Sequence, residues 1–165
     1  MRLRPVPTSR FGRLIAASAL AGAVLIGCSG GGGDTLTVEH PPVPTPTVVS
    51  AGEGGVGDIR LWNFDGTTTD GEAVTMDWVM TTTAVGVPSD GLETRFATGV
   101  FSFDDGDQLI LEGVAHYPSA GSTLEVSAST VRAIVGGTGA YAGASGSVES
   151  IHLDDDTWQH IFTLD

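Results

Sequence analysis

From Ile59 to Asp165, apolar and polar residues alternate in short runs, and pairs of turn residues cut the runs apart. A period of two places every second side chain on one face of a strand. Ile59 to Phe64 is one such run, and Val74 to Thr82 is the next, with Met76, Trp78 and Met80 on one face. Thr94 to Phe103, Gln108 to Tyr117, Thr123 to Val135, Ser147 to Leu153 and Thr157 to Leu164 continue the series. In the last run Trp158, His160, Phe162 and Leu164 share a face. Asp65-Gly66, Asp70-Gly71, Asp90-Gly91, Asp105-Gly106 and Gly136-Gly137 read as turns. No stretch of helix length sustains a 3.6-residue period. The pattern predicts one all-β domain over residues 59–165, a sandwich or a barrel. A barrel removes the exposed edges that a small open sheet would leave.

The chain before Ile59 reads differently. Ser29 to Asp58 contains Gly30 to Gly33, then Pro41-Pro42-Val43-Pro44-Thr45-Pro46, then Gly52, Gly54, Gly55 and Gly57. Glycine gives slack and proline gives extension, so residues 28–58 are expected to be a disordered tether reaching on the order of 30 Å. Met1 to Arg13 carries Arg2, Arg4, Arg10 and Arg13 and no acid. Leu14 to Gly27 is apolar and small, about 14 residues against the roughly 20 of a spanning helix. A basic start, a short apolar run and a small residue before a cut describe a secretory signal. Leu25-Ile26-Gly27-Cys28 resembles the lipobox of bacterial lipoproteins. That resemblance implies a signal peptide over residues 1–27, a diacylglyceryl thioether on Cys28, cleavage before it, and a fatty acyl group, such as palmitate, on its new amino group. It places the protein in the cell envelope: lipid-anchored at the outer membrane facing the periplasm in a Gram-negative cell, or at the surface otherwise. Cys28 is the only cysteine, so no disulfide framework is available.

Charge narrows the partners. All 20 acidic residues follow Cys28, and only Arg60, Arg95 and Arg132 stand against them among lysines and arginines there. Such a polyanion does not bind nucleic acid electrostatically. Anionic headgroups repel it, so its membrane contact is expected through the lipid alone. The acidity itself reads as a device for solubility.

Val135-Gly136-Gly137-Thr138-Gly139-Ala140-Tyr141-Ala142-Gly143 first suggests a nucleotide loop. Its spacing is one residue off the dinucleotide fingerprint, and a glycine-rich segment rather than a helix follows. The segment instead resembles the signature of the dirigent and allene oxide cyclase barrel family, in Val135-Gly136-Gly137-Thr138-Gly139 and Tyr141. Ser145 departs from it, standing where that family usually has arginine. Ala97-Thr98-Gly99-Val100-Phe101 resembles the family's early strand, Gln108 to Gly113 its glycine-ended strand, and Trp158 to Leu164 its closing strand. The resemblance implies a single small antiparallel β-barrel of about eight strands with a lined interior, needing no metal and no cofactor. It also implies a homo-oligomer, since plant members are trimers. Those members cyclise an unstable fatty-acid epoxide or steer the coupling of phenolic radicals. Read from backbone chemistry alone, the glycines supply tight corners and bulges where a barrel bends.

Three functions are open at this stage: binding of a small apolar ligand, cyclase or isomerase chemistry by positioning, and a structural envelope module with a packed barrel. Trp62, Trp78, Tyr117, Tyr141 and Trp158 are expected to line an apolar cavity. Arg95, Glu112, Arg132 and His160 are the candidate orienting or acid–base groups, because a charge that faces into a barrel is costly unless it has a partner. An inward Arg or His beside a carboxylate or tyrosine favours the enzyme; purely apolar walls favour the binder. Of the histidines, His116, His152 and His160 fall in the expected domain and His40 in the tether; their spacing matches no metal motif. Asp154-Asp155-Asp156 and Asp104-Asp105-Gly106-Asp107 read as solvated turns. No serine sits in a nucleophile elbow.

Overall fold

The computed structural model describes residues 34–52, 55–119 and 123–165. The export segment and Cys28 lie outside them. Among the described residues the strands are β1 (Asp34–His40), β2 (Thr47–Val49), β3 (Ile59–Thr68), β4 (Ala73–Val85), β5 (Leu92–Phe103), β6 (Gln108–Pro118), β7 (Ser129–Thr138), β8 (Gly146–His152) and β9 (Trp158–Leu164). One short 3-10 turn, Gly139–Tyr141, follows β7. Antiparallel neighbours run in the order β1-β9-β8-β7-β6-β5-β4-β3-β2. Val38 opposite Thr68 and Glu39 opposite Thr67 join β1 to β3. This pairing closes an eight-stranded barrel of β1 and β3 to β9, and β2 is a short addition to the outer end of β3.

Closure depends on a missing side chain. Asp65-Gly66, expected as a turn, lies inside β3. A Cβ on Gly66 would stand 2.6 Å from the Glu39 carbonyl oxygen and from the Met76 Cε. Only glycine lets β1 lie this close across β3.

Alternation along the strands fills the barrel. In β5 Glu93, Arg95, Ala97, Gly99, Phe101 and Phe103 all face inward. The end of the barrel at the β5–β6 hairpin is apolar and tightly packed, around Val38, Val74, Met76, Phe101, Leu109, Leu111, Val148 and Phe162. Each such side chain stabilises the fold by about 1.5–3 kcal/mol. Gly99 serves this packing: a Cβ there would meet the Trp78 ring at 3.0 Å and Leu111 at 3.1 Å.

Three more expectations need correction. The tether does not run to Asp58, because Asp34–His40 is a full barrel strand and Thr47–Val49 pairs with β3. Pro41 to Pro46 is a strap between them; its prolines lack N–H groups and so need no ladder partner there. The strand expected from Thr123 begins only at Ser129, and Leu124 before it is folded onto the barrel. Gly136-Gly137 is not a turn but the end of β7, just after a bulge at Val135 that leaves Ile110 opposite Gly136 and Leu111 opposite Ile134. The corner comes at Gly139, with φ of 58°. There the Ala140 N–H donates to the Asp107 Oδ2 at 2.8 Å. The glycine motif thus builds a corner at the apolar end of the barrel.

Candidate functional site

The other end of the barrel has a different interior. It is reached by the start of β5, the ends of β6 and β8, and the starts of β7 and β9. A cavity of about 40 Å³ lies there, lined by His40, Trp62, Trp78, Tyr117, Arg132, Ser150, Trp158 and His160 among others. Val43 of the strap and Leu124 of the β6–β7 connection also line it. The strap is fastened by the Trp62 Nε1–H, which donates to the Pro44 carbonyl at 3.0 Å.

Three arginines enter this half. Arg60 donates to Glu93 Oε1 at 3.1 Å and to Thr82 Oγ1 at 2.9 Å. Arg95, wholly buried, donates to the same Glu93 oxygen from Nε at 2.9 Å and again from Nη2. Its guanidinium lies 4.5 Å over the Tyr117 ring. Burial pulls Arg95 below its ordinary range, and its hydrogen bonds to Glu93 oppose that pull. Arg132 is 3% exposed. It donates to the Tyr117 hydroxyl and, at a long 3.5 Å, to Ser150 Oγ, while its Nε–H has no partner. It lies 5.4 Å over the Trp78 ring, a contact worth about 0.5–2 kcal/mol. Space for it comes from Gly113, where a Cβ would meet the Arg132 Cγ at 3.0 Å.

Hydrogen bonds fix the histidine tautomers by elimination. His40 Nδ1 faces the Pro41 carbonyl at 2.6 Å, so that nitrogen carries the proton. A neutral His40 then accepts at Nε2, and the His160 Nε2–H, 3.1 Å away, donates to it. His160 Nδ1 is left as an acceptor for the Ser150 hydroxyl at 2.8 Å. Ser150 in turn accepts from Arg132. The result is a directed chain from Arg132 through Ser150, His160 and His40 to the Pro41 carbonyl. Both rings are neutral in it. Burial lowers His40 to about 4, against help from its Pro41 hydrogen bond and with His152 adding to the fall. Burial also holds His160 well below its ordinary range, and His40 and Arg132 push the same way. Burial raises Tyr117, which Arg132 and Arg95 partly offset, so its hydroxyl keeps its proton at neutral pH.

Flat rings dominate the mouth. Trp158 stacks on His152 at 4.5 Å and on His40 at 5.9 Å. Its Nε1–H has no partner. No group of three or more His, Cys, Asp or Glu among the described residues could hold a metal ion.

The cavity brings together Trp62, Trp78, Tyr117, Trp158, Arg132 and His160. Arg95 is inward but one layer back, against Tyr117 and Glu93. Two expected residues are not there. Glu112 alternates to the outside of β6, where it accepts from Thr98 at 3.2 Å. Tyr141 sits at the opposite end, with its ring 5.1 Å from Phe103. Sequence reasoning missed His40, Glu93, Ser150 and the lining pair Val43 and Leu124. His40 had a signal: Thr35-Leu36-Thr37-Val38-Glu39-His40 alternates like every other strand.

No protein-family model matches the chain, and no curated protein matches it. The fold is nevertheless shared with solved structures. A pyocyanin demethylase superposes with a TM-score of 0.55 at 20% identity, covering 80% of this chain and 98% of its own. A pterocarpan synthase dirigent protein superposes with a TM-score of 0.51 at 16% identity, covering 79% of this chain and 81% of its own. At these identities the likeness shows the fold alone, a closed antiparallel β-barrel.

The histidine chain predicts a pH dependence. The folded state holds His40 near 4, while the unfolded chain titrates at 6.5. The unfolded state therefore binds more protons between those values. Stability is fully present above pH 6.5 and falls as pH drops toward 4. At about 1.4 kcal/mol per unit, His40 contributes on the order of 3 kcal/mol, and His160 acts with the same sign. Urea unfolding at pH 7.5, 5.5 and 4.5 is expected to show this loss. The double variant His40→Gln, His160→Gln should lose clearly less; equal losses in both proteins would refute the neutral-chain assignment.

Proposed function

We propose that this barrel takes a small, flat, largely apolar molecule into its polar end and orients it there, outside the cytoplasm, on a lipid anchor at Cys28. The carrying observation is the division of the interior. One end is packed with apolar side chains, as a barrel built for shape alone requires. The other end buries His40, Tyr117, Arg132, Ser150 and His160 and leaves two donors without acceptors. An unsatisfied buried donor costs about 1–3 kcal/mol. A guest that brings an acceptor to these donors would offset that cost. Two solved barrels of this shape carry names of small-molecule chemistry, demethylation of pyocyanin and pterocarpan synthesis.

The cavity as it stands has water-scale room, well below the roughly 300 Å³ and more of a ligand pocket. A ring-sized guest enters by displacing Val43 and Leu124, which belong to connections and not to barrel strands. The pairing of inward Arg132 with Tyr117 also supports a second reading, a cyclase or isomerase. In it Tyr117 supplies or holds a proton and Arg132 stabilises charge that develops on a substrate oxygen. The packed apolar end favours the structural module.

The chain has three tryptophans, and Trp62, Trp78 and Trp158 all line the cavity. Intrinsic fluorescence is therefore a direct reporter. The neutral dye N-phenyl-1-naphthylamine is expected to quench it saturably, and Leu124→Ala should tighten binding several-fold by easing entry. An absence of saturable quenching by this dye and by other flat aromatics would leave the structural module. For the anchor, Cys28→Ser protein should lose its lipid mass and leave the membrane fraction; retention of both would remove the lipoprotein reading.

A further inference from the structure

The barrel inverts the charge of its own sequence. All three arginines that follow Cys28 point inward, while Glu93 is the one carboxylate among the described buried residues. Arg60 and Arg95 share Glu93. Arg132 has no carboxylate within ion-pair reach among the described residues, and its two partners are neutral hydroxyls. Hydroxyls satisfy hydrogen bonds but do not neutralise a buried cation.

Resting on the reading of this cavity as a small-molecule site, we infer that its ligand is an acid: a flat apolar body bearing an oxyanion, carboxylate or acidic phenolate, that seats against Arg132. Several observations converge on that chemistry. The Nε–H of Arg132 and the Nε1–H of Trp158 are both buried without acceptors, and both residues line the cavity. The Tyr117 hydroxyl accepts from Arg132, so its own proton is available to a third oxygen. A guanidinium presents a planar fork that matches a carboxylate. The 40 Å³ of space is of the order of two or three waters, the scale of a carboxylate group. Around it stand Trp62, Trp78 and Trp158, which suit an apolar ring and not a hydrated inorganic anion. The ligand is thus amphipathic, and purely apolar molecules are weak analogues of it.

A matched pair of probes tests this. Anthracene-2-carboxylate and anthracene-2-carboxamide have the same ring and differ in charge, and both accept energy from tryptophan. The wild-type chain should bind the carboxylate at least tenfold more tightly than the carboxamide. In Arg132→Met that preference should collapse to within about twofold, with carboxamide binding retained. If Arg132→Met does not fold, Arg132→Lys and Tyr117→Phe carry the test, and each should lower the preference several-fold. Equal binding of the two probes by the wild type overturns the inference and leaves the small-molecule site standing. A carboxylate preference that survives all the variants removes Arg132 from the role. If neither probe binds, the inference falls together with the reading beneath it.

Discussion

The guanidinium of Arg132 sits inside a closed barrel with no counter-ion beside it among the described residues, and much of the polar end is arranged around that cation. Moving an unpaired charge out of water costs several kcal/mol even after relaxation. The fold offsets part of this cost locally. Gly113 vacates the volume that the side chain needs, Trp78 lies under it, and Tyr117 and Ser150 accept from it. Ser150 then orders His160, and His160 orders His40. The histidines are neutral chiefly because burial disfavours their charged forms; His152 adds to the fall at His40, and His40 and then Arg132 add to it at His160. The Pro41 carbonyl at one end of this hydrogen-bonded chain sets the tautomers, and Arg132 anchors the other end.

The opposite end supplies the stability that such an interior needs. Its apolar layer is continuous from Val38 and Val74 through Phe101 to Phe162, and the ring of strands has no open edge between β1 and β3. The glycine-rich corner after β7 belongs to that end. Its distance from the cavity explains why residues 135–143, so conspicuous in sequence, are not among the lining residues. Gly66, Gly99 and Gly113 matter more for the site, because each yields space to a neighbour: the Glu39 carbonyl, the Trp78 ring and Arg132.

Much of this was readable from the chain. Period-two alternation located β3 to β9 to within a few residues, save the early start assigned to β7, because each strand buries one face only. It also placed Arg95 and Arg132 on strands, though not inside them, since a register cannot be read without the closing pair. β1 was hidden by its surroundings: glycines before it and prolines after it look like a linker, although Thr35 to His40 alternates. Losing β1 meant losing His40 and its bond to His160. Glu112 was misassigned for the converse reason: its neighbour Gly113, with no side chain, marks the inward position of that pair. The net acidity concealed the finding that the few cations after Cys28 are all internal.

A buried Arg132 that serves a ligand must meet a ligand oxygen. The chain has seven arginines, of which only Arg60, Arg95 and Arg132 follow Cys28, so the arginine Nε–H region of its nitrogen-15 spectrum holds few signals. Arg132→Lys assigns one of them. On saturation with anthracene-2-carboxylate, that signal should move downfield as its unpartnered Nε–H gains an acceptor, while the signals of the Glu93-paired Arg60 and Arg95 hold still. An Arg132 signal that does not move in the saturated protein, or movement confined to Arg60 and Arg95, would contradict the account.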